Sequence, residues 1–208
     1  MYPITISSTK TQLQVNTFIR SVYNWMAIGL AVTGLMAYYV AHSEVVIKII
    51  FGNRLVFFGL IIGELALVFS LARRIGRMRA STATGLFLLY SALNGITLSA
   101  VLLIYTRESV FASFLIAAMT FAACSIFGMS TKRDLTSLGG FMTMGLIGIL
   151  IASVVNLFIG SSGISMIISY IGVIVFVGLS AYDTQKLKAM AMISFTVFRS
   201  ISLSRNGL

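Results

Sequence analysis

The chain has 208 residues, of which 58% are hydrophobic and only 10% are charged. Soluble domains carry about 25% charged residues, so the composition excludes a soluble globular protein. The formal net charge of +10 rests on too few charges to predict nucleic-acid binding. One cysteine and one histidine exclude an internal disulfide and the usual multi-residue zinc or catalytic sites, so we expect no enzyme activity.

Six apolar stretches approach or reach the roughly 20 residues that a membrane-spanning helix needs. They are residues 22–41, 55–72, 83–105, 110–129, 141–159 and 164–182. Short connections between them predict an all-α, polytopic membrane helix bundle with six transmembrane helices. In this reading residues 1–20 form a polar, mobile N-terminal tail, residues 21–188 form the bundle, and residues 189–208 form a C-terminal tail.

The basic residues predict the orientation of the spans, because cytoplasmic connections carry an excess of Lys and Arg. Twelve bases fall on one side of the membrane and three on the other. The twelve are Lys10, Arg20, Arg73, Arg74, Arg77, Arg79, Lys132, Arg133, Lys186, Lys188, Arg199 and Arg205, and the three are Lys48, Arg54 and Arg107. We therefore expect both termini in the cytoplasm, and we attribute the net charge mainly to topology.

Glu64 is the clearest candidate for a functional residue, since it lies in the middle of the second apolar stretch. A charged side chain there costs at least about 2.5–3.5 kcal/mol on insertion scales, which favours a proton or cation site. The alternative is a neutral carboxyl hydrogen-bonded to a neighbouring helix. Gly59 and Gly63 just before it form a small-xxx-small pattern, which predicts close packing within the bundle rather than dimerisation.

Asp183 closes the sixth apolar stretch and leaves two interpretations open. Its spacing from Lys186 favours an ion pair within one helix. The other possible partner is Arg73 or Arg74 at the end of the second stretch, on the same predicted side of the membrane.

Four segments, in order along the chain, resemble the Bax inhibitor family of transmembrane proteins. One segment runs from Glu64 to the paired arginines and resembles the family's second helix. Another contains Tyr90, Asn94, Gly95 and Thr97 and resembles the motif of the family's third helix. The others are the fourth-helix end at residues 127–135 and the sixth-helix segment at residues 181–187. The resemblance covers about residues 18–190 and identifies the chain as a bacterial-type member, which implies a location in the plasma (inner) membrane.

The resemblance implies a pH-sensitive leak pathway for calcium or another cation, with no bound cofactor and with calcium or protons as the transported species. In the family, two aspartates near the cytoplasmic end share a proton, and one engages an arginine of the second helix as a latch. Asp183 matches the first aspartate, which also makes it a weak calcium-ligand candidate. Arg73 or Arg74 matches the latch partner, and spacing does not decide between them.

The C-terminal tail departs from the family pattern, which has a seventh helix that carries the second aspartate. No acid follows Asp183, and the apolar run 189–198 is half the length of a span. This difference predicts truncation or a frame change near residue 190; the alternative is a tail that docks as a short interfacial or half-inserted helix. It also predicts an apolar cavity or an interface for another subunit, and it favours an alternative function. In that alternative the chain is a non-transporting regulator that binds a membrane protein such as a quality-control protease.

Overall fold

The fold is known from a computed structural model that describes residues 4–206, with side chains described for residues 13–195 and 197. Within this range the chain forms seven α-helices. They are α1 (Ile4–Ala41), α2 (Glu44–Phe51), α3 (Arg54–Arg74), α4 (Ala80–Ile104), α5 (Arg107–Ser130), α6 (Thr136–Ile159) and α7 (Ser162–Asn206). A 3-10 turn, Ile75–Arg77, follows α3.

Six of these helices are long and apolar enough to cross a membrane, namely all except α2. The prediction of an all-α membrane helix bundle with six spans is therefore confirmed. Large apolar side chains lie on the outside, and Leu55, Leu157 and Phe158 are each more than 80% exposed. Such exposure is expected where lipid, rather than water, surrounds the helices.

The two ends of the chain differ from the sequence prediction. Residues 4–20 were predicted as a mobile tail, but they belong to α1. Extending an existing helix needs no new nucleus, and neither glycine nor proline occurs between residues 4 and 28. Residues 189–206, predicted to form a separate tail, likewise continue α7 without a break. Residues 1–3 and 207–208 of the two predicted tails lie outside the described residues.

The described chain divides into two compact units. The N-terminal unit is Ser21–Phe114, and the C-terminal unit combines residues 4–20 with residues 115–206. The N-terminal unit contains most of α1, all of α2, α3 and α4, and the start of α5. The C-terminal unit contains the start of α1 and the remainder of α5 together with α6 and α7.

Helix ends in each unit follow local sequence rules. Asn53 precedes α3, and its side-chain oxygen accepts a hydrogen bond from the Leu55 backbone N–H at 2.9 Å, which satisfies a free donor at the helix start. Gly160 ends α6 with φ of +69°, a left-handed conformation that glycine adopts readily. These caps set the short connections that return the chain to the membrane.

Candidate functional site

Glu64 lies on α3 in the N-terminal unit and faces α4. The Thr97 hydroxyl donates a hydrogen bond to Glu64 Oε2 at 3.1 Å. The other carboxyl oxygen, Oε1, is inaccessible to solvent and has no hydrogen-bond partner in the described part of the chain. One oxygen of this acid is therefore held by a neighbouring helix, and the other is buried without a partner.

The α4 motif that contains Thr97 also presents a face of small residues to α1. Ser91, Gly95 and Ser99 are spaced four residues apart and are all buried, with Ser99 fully inaccessible. The Thr33 hydroxyl of α1 donates to the Ser91 carbonyl at 2.8 Å. A Cβ added at Gly95 would fall on the Thr33 carbonyl oxygen and lie 2.7 Å from the Met36 Cβ. The two backbones therefore approach closely at Gly95.

Other residues of this motif have different positions. Tyr90 and Asn94 are half-buried on α4. The close approach that Gly59 and Gly63 predicted on α3 is not seen in the described residues, because nothing lies within 4 Å of a Cβ added at either position. The small-residue contact of this unit is made by α4 instead.

The N-terminal unit also contains an apolar cavity of about 620 Å³. Its walls come from α1, α4 and the start of α5, and Leu30, Leu98, Val101 and Phe114 are among the residues that line it. Glu64 is not one of the lining residues, so the cavity and the carboxyl are separate features.

Residues around Asp183 on α7 pack the C-terminal unit together. Ala181 and Cys124 form a buried cluster with Leu135, which lies in the connection between α5 and α6. A Cβ added at Gly128 of α5 would fall on the Ala181 carbonyl oxygen. Helices α5 and α7 therefore approach closely here.

Gln185 fixes the α5–α6 connection to α7 through two backbone groups. Its Oε1 accepts from the Leu135 N–H at 2.9 Å, and its Nε2 donates to the Arg133 carbonyl at 2.8 Å. Lys188 Nζ donates to the Met129 carbonyl in the last turn of α5 at 2.7 Å, where a cation is favoured by the helix dipole. Sequence reasoning missed these roles because both side chains act on backbone atoms about 50 or more residues away.

Asp183 itself is exposed. Its predicted ion pair with Lys186 is not present among the described residues, since the Lys186 ammonium lies over the Tyr182 ring, 5.7 Å from its centroid. Arg73 and Arg74 are exposed at the end of α3 in the N-terminal unit, and a latch between them and Asp183 stays a prediction.

Comparison with known proteins identifies the family. The family model described as inhibitor of apoptosis-promoting Bax1 matches residues 15–204. The chain belongs to the Bax inhibitor family. The match also includes most of the C-terminal tail, which the motifs alone did not assign to the family.

Three bacterial relatives are similar over most of their length. The inner membrane protein YbhL of Escherichia coli strain K12 is 45% identical, over 91% of this chain and 81% of the relative. An uncharacterized protein of Borreliella burgdorferi is 40% identical, over 90% of this chain and 81% of the relative. An uncharacterized protein of Deinococcus radiodurans is also 40% identical, over 100% of this chain and 88% of the relative. No solved structure matches the chain. Membership of this family places the chain among membrane proteins with several transmembrane helices.

The residues of the family motifs have two kinds of surroundings. Some pack against neighbouring helices, and others are polar and make few contacts. The α4 motif supplies both a helix contact at Gly95 and the hydroxyl that binds Glu64. The α7 motif supplies Ala181 and Gln185 for packing and leaves Asp183 exposed. In the described part of the chain, no three His, Cys, Asp or Glu side chains are grouped so as to hold a metal ion.

Proposed function

We propose that this membrane protein provides a pH-modulated leak pathway for calcium or another cation, with Glu64 and Asp183 as its ion-interacting acids. In this proposal calcium is transported rather than permanently bound. The termini lie in the cytoplasm, as the distribution of twelve and three bases favours, and Asp183 acts together with Arg73 or Arg74 as a latch.

The observation that carries the proposal is the surroundings of Glu64. An acid within a membrane span is costly unless a partner or a transported ion compensates it. Thr97 provides one neutral hydrogen bond, and the second oxygen is buried without a partner among the described residues. When Glu64 is ionised, its free oxygen is the type of carboxylate ligand that hard cations such as calcium prefer.

Asp183 supports the same proposal from the C-terminal unit. Its neighbours along α7 are engaged in packing and in holding the α5–α6 connection, whereas its own carboxyl is exposed. The side chain is therefore available to pair with a cation or an arginine.

The test is calcium flux into vesicles that contain the purified protein, measured with an enclosed dye across a range of pH. We expect Glu64→Gln to reduce flux to the level of empty vesicles, and Asp183→Asn to reduce flux and remove its pH dependence. Glu44→Gln and Glu108→Gln are the controls, because these acids lie in the first turns of α2 and α5, and we expect wild-type flux from both.

Two results would contradict parts of the proposal. Wild-type flux and pH dependence in Asp183→Asn would remove that residue from the mechanism. No flux at any pH from the wild-type protein, together with a membrane protein that copurifies stably, would favour the regulatory function instead.

A further inference from the structure

The last two residues of α3 and the connection to α4, together residues 73–79, carry four arginines in seven positions. Arg73, Arg74, Arg77 and Arg79 are all exposed. None of these guanidinium groups makes an ion pair or a hydrogen bond to another described residue. We call residues 73–79 the arginine connection.

The positive charge of this connection is not compensated by nearby acids in the sequence. No Asp or Glu occurs between Glu64 and Glu108. The connection between α5 and α6 is different, because its Lys132 and Arg133 are followed by Asp134 and its backbone is bound by Gln185. The arginine connection therefore carries a concentrated positive charge that no described acid of its own unit neutralises.

The depth of the arginine connection follows from the two helices it joins. The candidate spans on either side are Arg54–Arg77 and Ala80–Ile104. Each of the four arginines is therefore within four residues of a span end, roughly one helical turn or about 6 Å along the axis. Lipid headgroups occupy this depth, just outside the hydrocarbon core.

Two apolar side chains lie between the arginines of this short segment. Ile75 is 57% exposed, and Met78 is half-buried. Basic residues interleaved with apolar ones are typical of segments that lie in the membrane interface. This pattern favours a lipid surface over an acidic protein as the partner of the connection.

We propose that the arginine connection is a binding site for the phosphate groups of anionic phospholipids in the adjacent leaflet. A guanidinium group binds phosphate through two parallel hydrogen bonds and is always charged. Four such groups on one short connection give a headgroup site that a topological role alone does not require, because topology depends only on the bias in positive charge.

The experiment measures lipid binding by the full chain in detergent micelles. The thermal unfolding midpoint is followed as phosphatidylglycerol or phosphatidylcholine is added. The test variant is Arg77→Gln with Arg79→Gln, which leaves Arg73 and Arg74 of the proposed latch intact. The matched control is Lys132→Gln with Arg133→Gln, which removes the same charge from the other basic connection.

We expect phosphatidylglycerol to raise the midpoint of the wild-type protein more than phosphatidylcholine does. With about 1 kcal/mol per arginine near a lipid surface, the test variant should bind phosphatidylglycerol about 30-fold more weakly. The control should stay close to wild type. Equal affinity in the test variant and the control would overturn the proposal.

Two further measurements on the wild-type protein keep the proposal testable if the variant does not fold. The preference for phosphatidylglycerol should weaken as salt is added, because salt screens exposed charges; a preference independent of salt would contradict an arginine site. Inorganic phosphate at the same concentration should give no comparable shift. An equal shift would indicate a free-anion site rather than a lipid site.

Discussion

Glu64 and Asp183 are both acids of membrane helices, but their surroundings have little in common. Glu64 is half-buried and receives one hydrogen bond from Thr97, and its other oxygen is inaccessible and has no partner in the part of the chain that the structure describes. Asp183 is exposed among neighbours that hold the helices together. At the scale of residues, the two acids therefore have different places in the proposed function: Glu64 in the interior of the proposed pathway and Asp183 in the proposed latch contact.

Removing the Thr97 hydroxyl tests how strongly the structure depends on Glu64. We expect Thr97→Val to lower the free energy of unfolding in mixed micelles by about 1 kcal/mol, because Glu64 loses its one described partner. Thr143→Val is the control, since that hydroxyl bonds to the Gly139 carbonyl of its own helix. In a Glu64→Leu background the Thr97 change should have almost no effect, and an undiminished effect there would disprove the coupling.

Asp134 provides a prediction about acid stability at the start of α6. The side-chain hydroxyl and then the backbone N–H of Thr136 donate to its Oδ1 and hold the pKa of this carboxyl below its ordinary value of 3.8. A lowered folded-state pKa stabilises the fold above that ordinary value, and the contribution is lost as the pH falls through the lower folded-state pKa. We therefore expect the wild-type protein to have a higher thermal unfolding midpoint than Asp134→Ala at neutral pH.

The difference between these two proteins should shrink as the pH is lowered below the ordinary pKa of the carboxyl. Thermal unfolding across this range measures it. A difference that stays constant from neutral to acid pH would mean that Asp134 acts only through its shape and neutral hydrogen bonds.

At the scale of helices, contacts in both units depend on glycines that let a neighbouring chain approach. Gly95 meets the backbone of α1, Gly128 meets the backbone of α7, and Gly139 lies under the ring of Tyr182. Gly59 and Gly63 match the same sequence pattern but have open space around them. A small-xxx-small spacing therefore identifies helices that can pack closely without showing which glycines do so, because the partner surface is absent from the pattern.

Two adjacent glycines of α6 allow a direct comparison. A Cβ at Gly139 would lie 2.5–2.6 Å from atoms of the Tyr182 ring, whereas nothing lies within 4 Å of one at Gly140. We expect Gly139→Ala to destabilise the protein by about 1–3 kcal/mol through overpacking. Gly140→Ala should be neutral or slightly stabilising, because alanine favours helix. Unfolding of both variants in mixed micelles is the measurement, and equal stability would contradict the packing shown here.

At the scale of the whole molecule, the chain has six candidate spans, and its basic residues greatly outnumber its acidic ones. The longest helix, α7, has 45 residues and measures about 68 Å, more than twice the roughly 30 Å hydrocarbon core. Part of α7 must therefore extend beyond the core or tilt within it. Lys186 and Lys188 lie in this helix beyond the sequence-predicted span 164–182, as expected for the end that leaves the core.

The six-span topology can be checked with single cysteines. With Cys124 replaced by alanine, Gly76→Cys and Lys132→Cys should react with an impermeant reagent only from the cytoplasmic side. Ser43→Cys and Thr106→Cys should react only from the opposite side, because these connections alternate along the chain. Labelling of any pair from both sides, or of all four from one side, would contradict both the six spans and the orientation expected from the basic residues.

The sequence alone determined that this is an all-α membrane protein with six spans, and it singled out Glu64 and Asp183. These conclusions depend on the length of apolar runs and on the cost of charge in lipid, which are local properties of the chain. Only the tertiary structure decided that Thr97 binds Glu64, that Gln185 holds the α5–α6 connection, and that α1 and α7 extend into the predicted tails. The first two join residues far apart in sequence, and the helix extensions depend on propagation from a formed span, so neither follows from local composition.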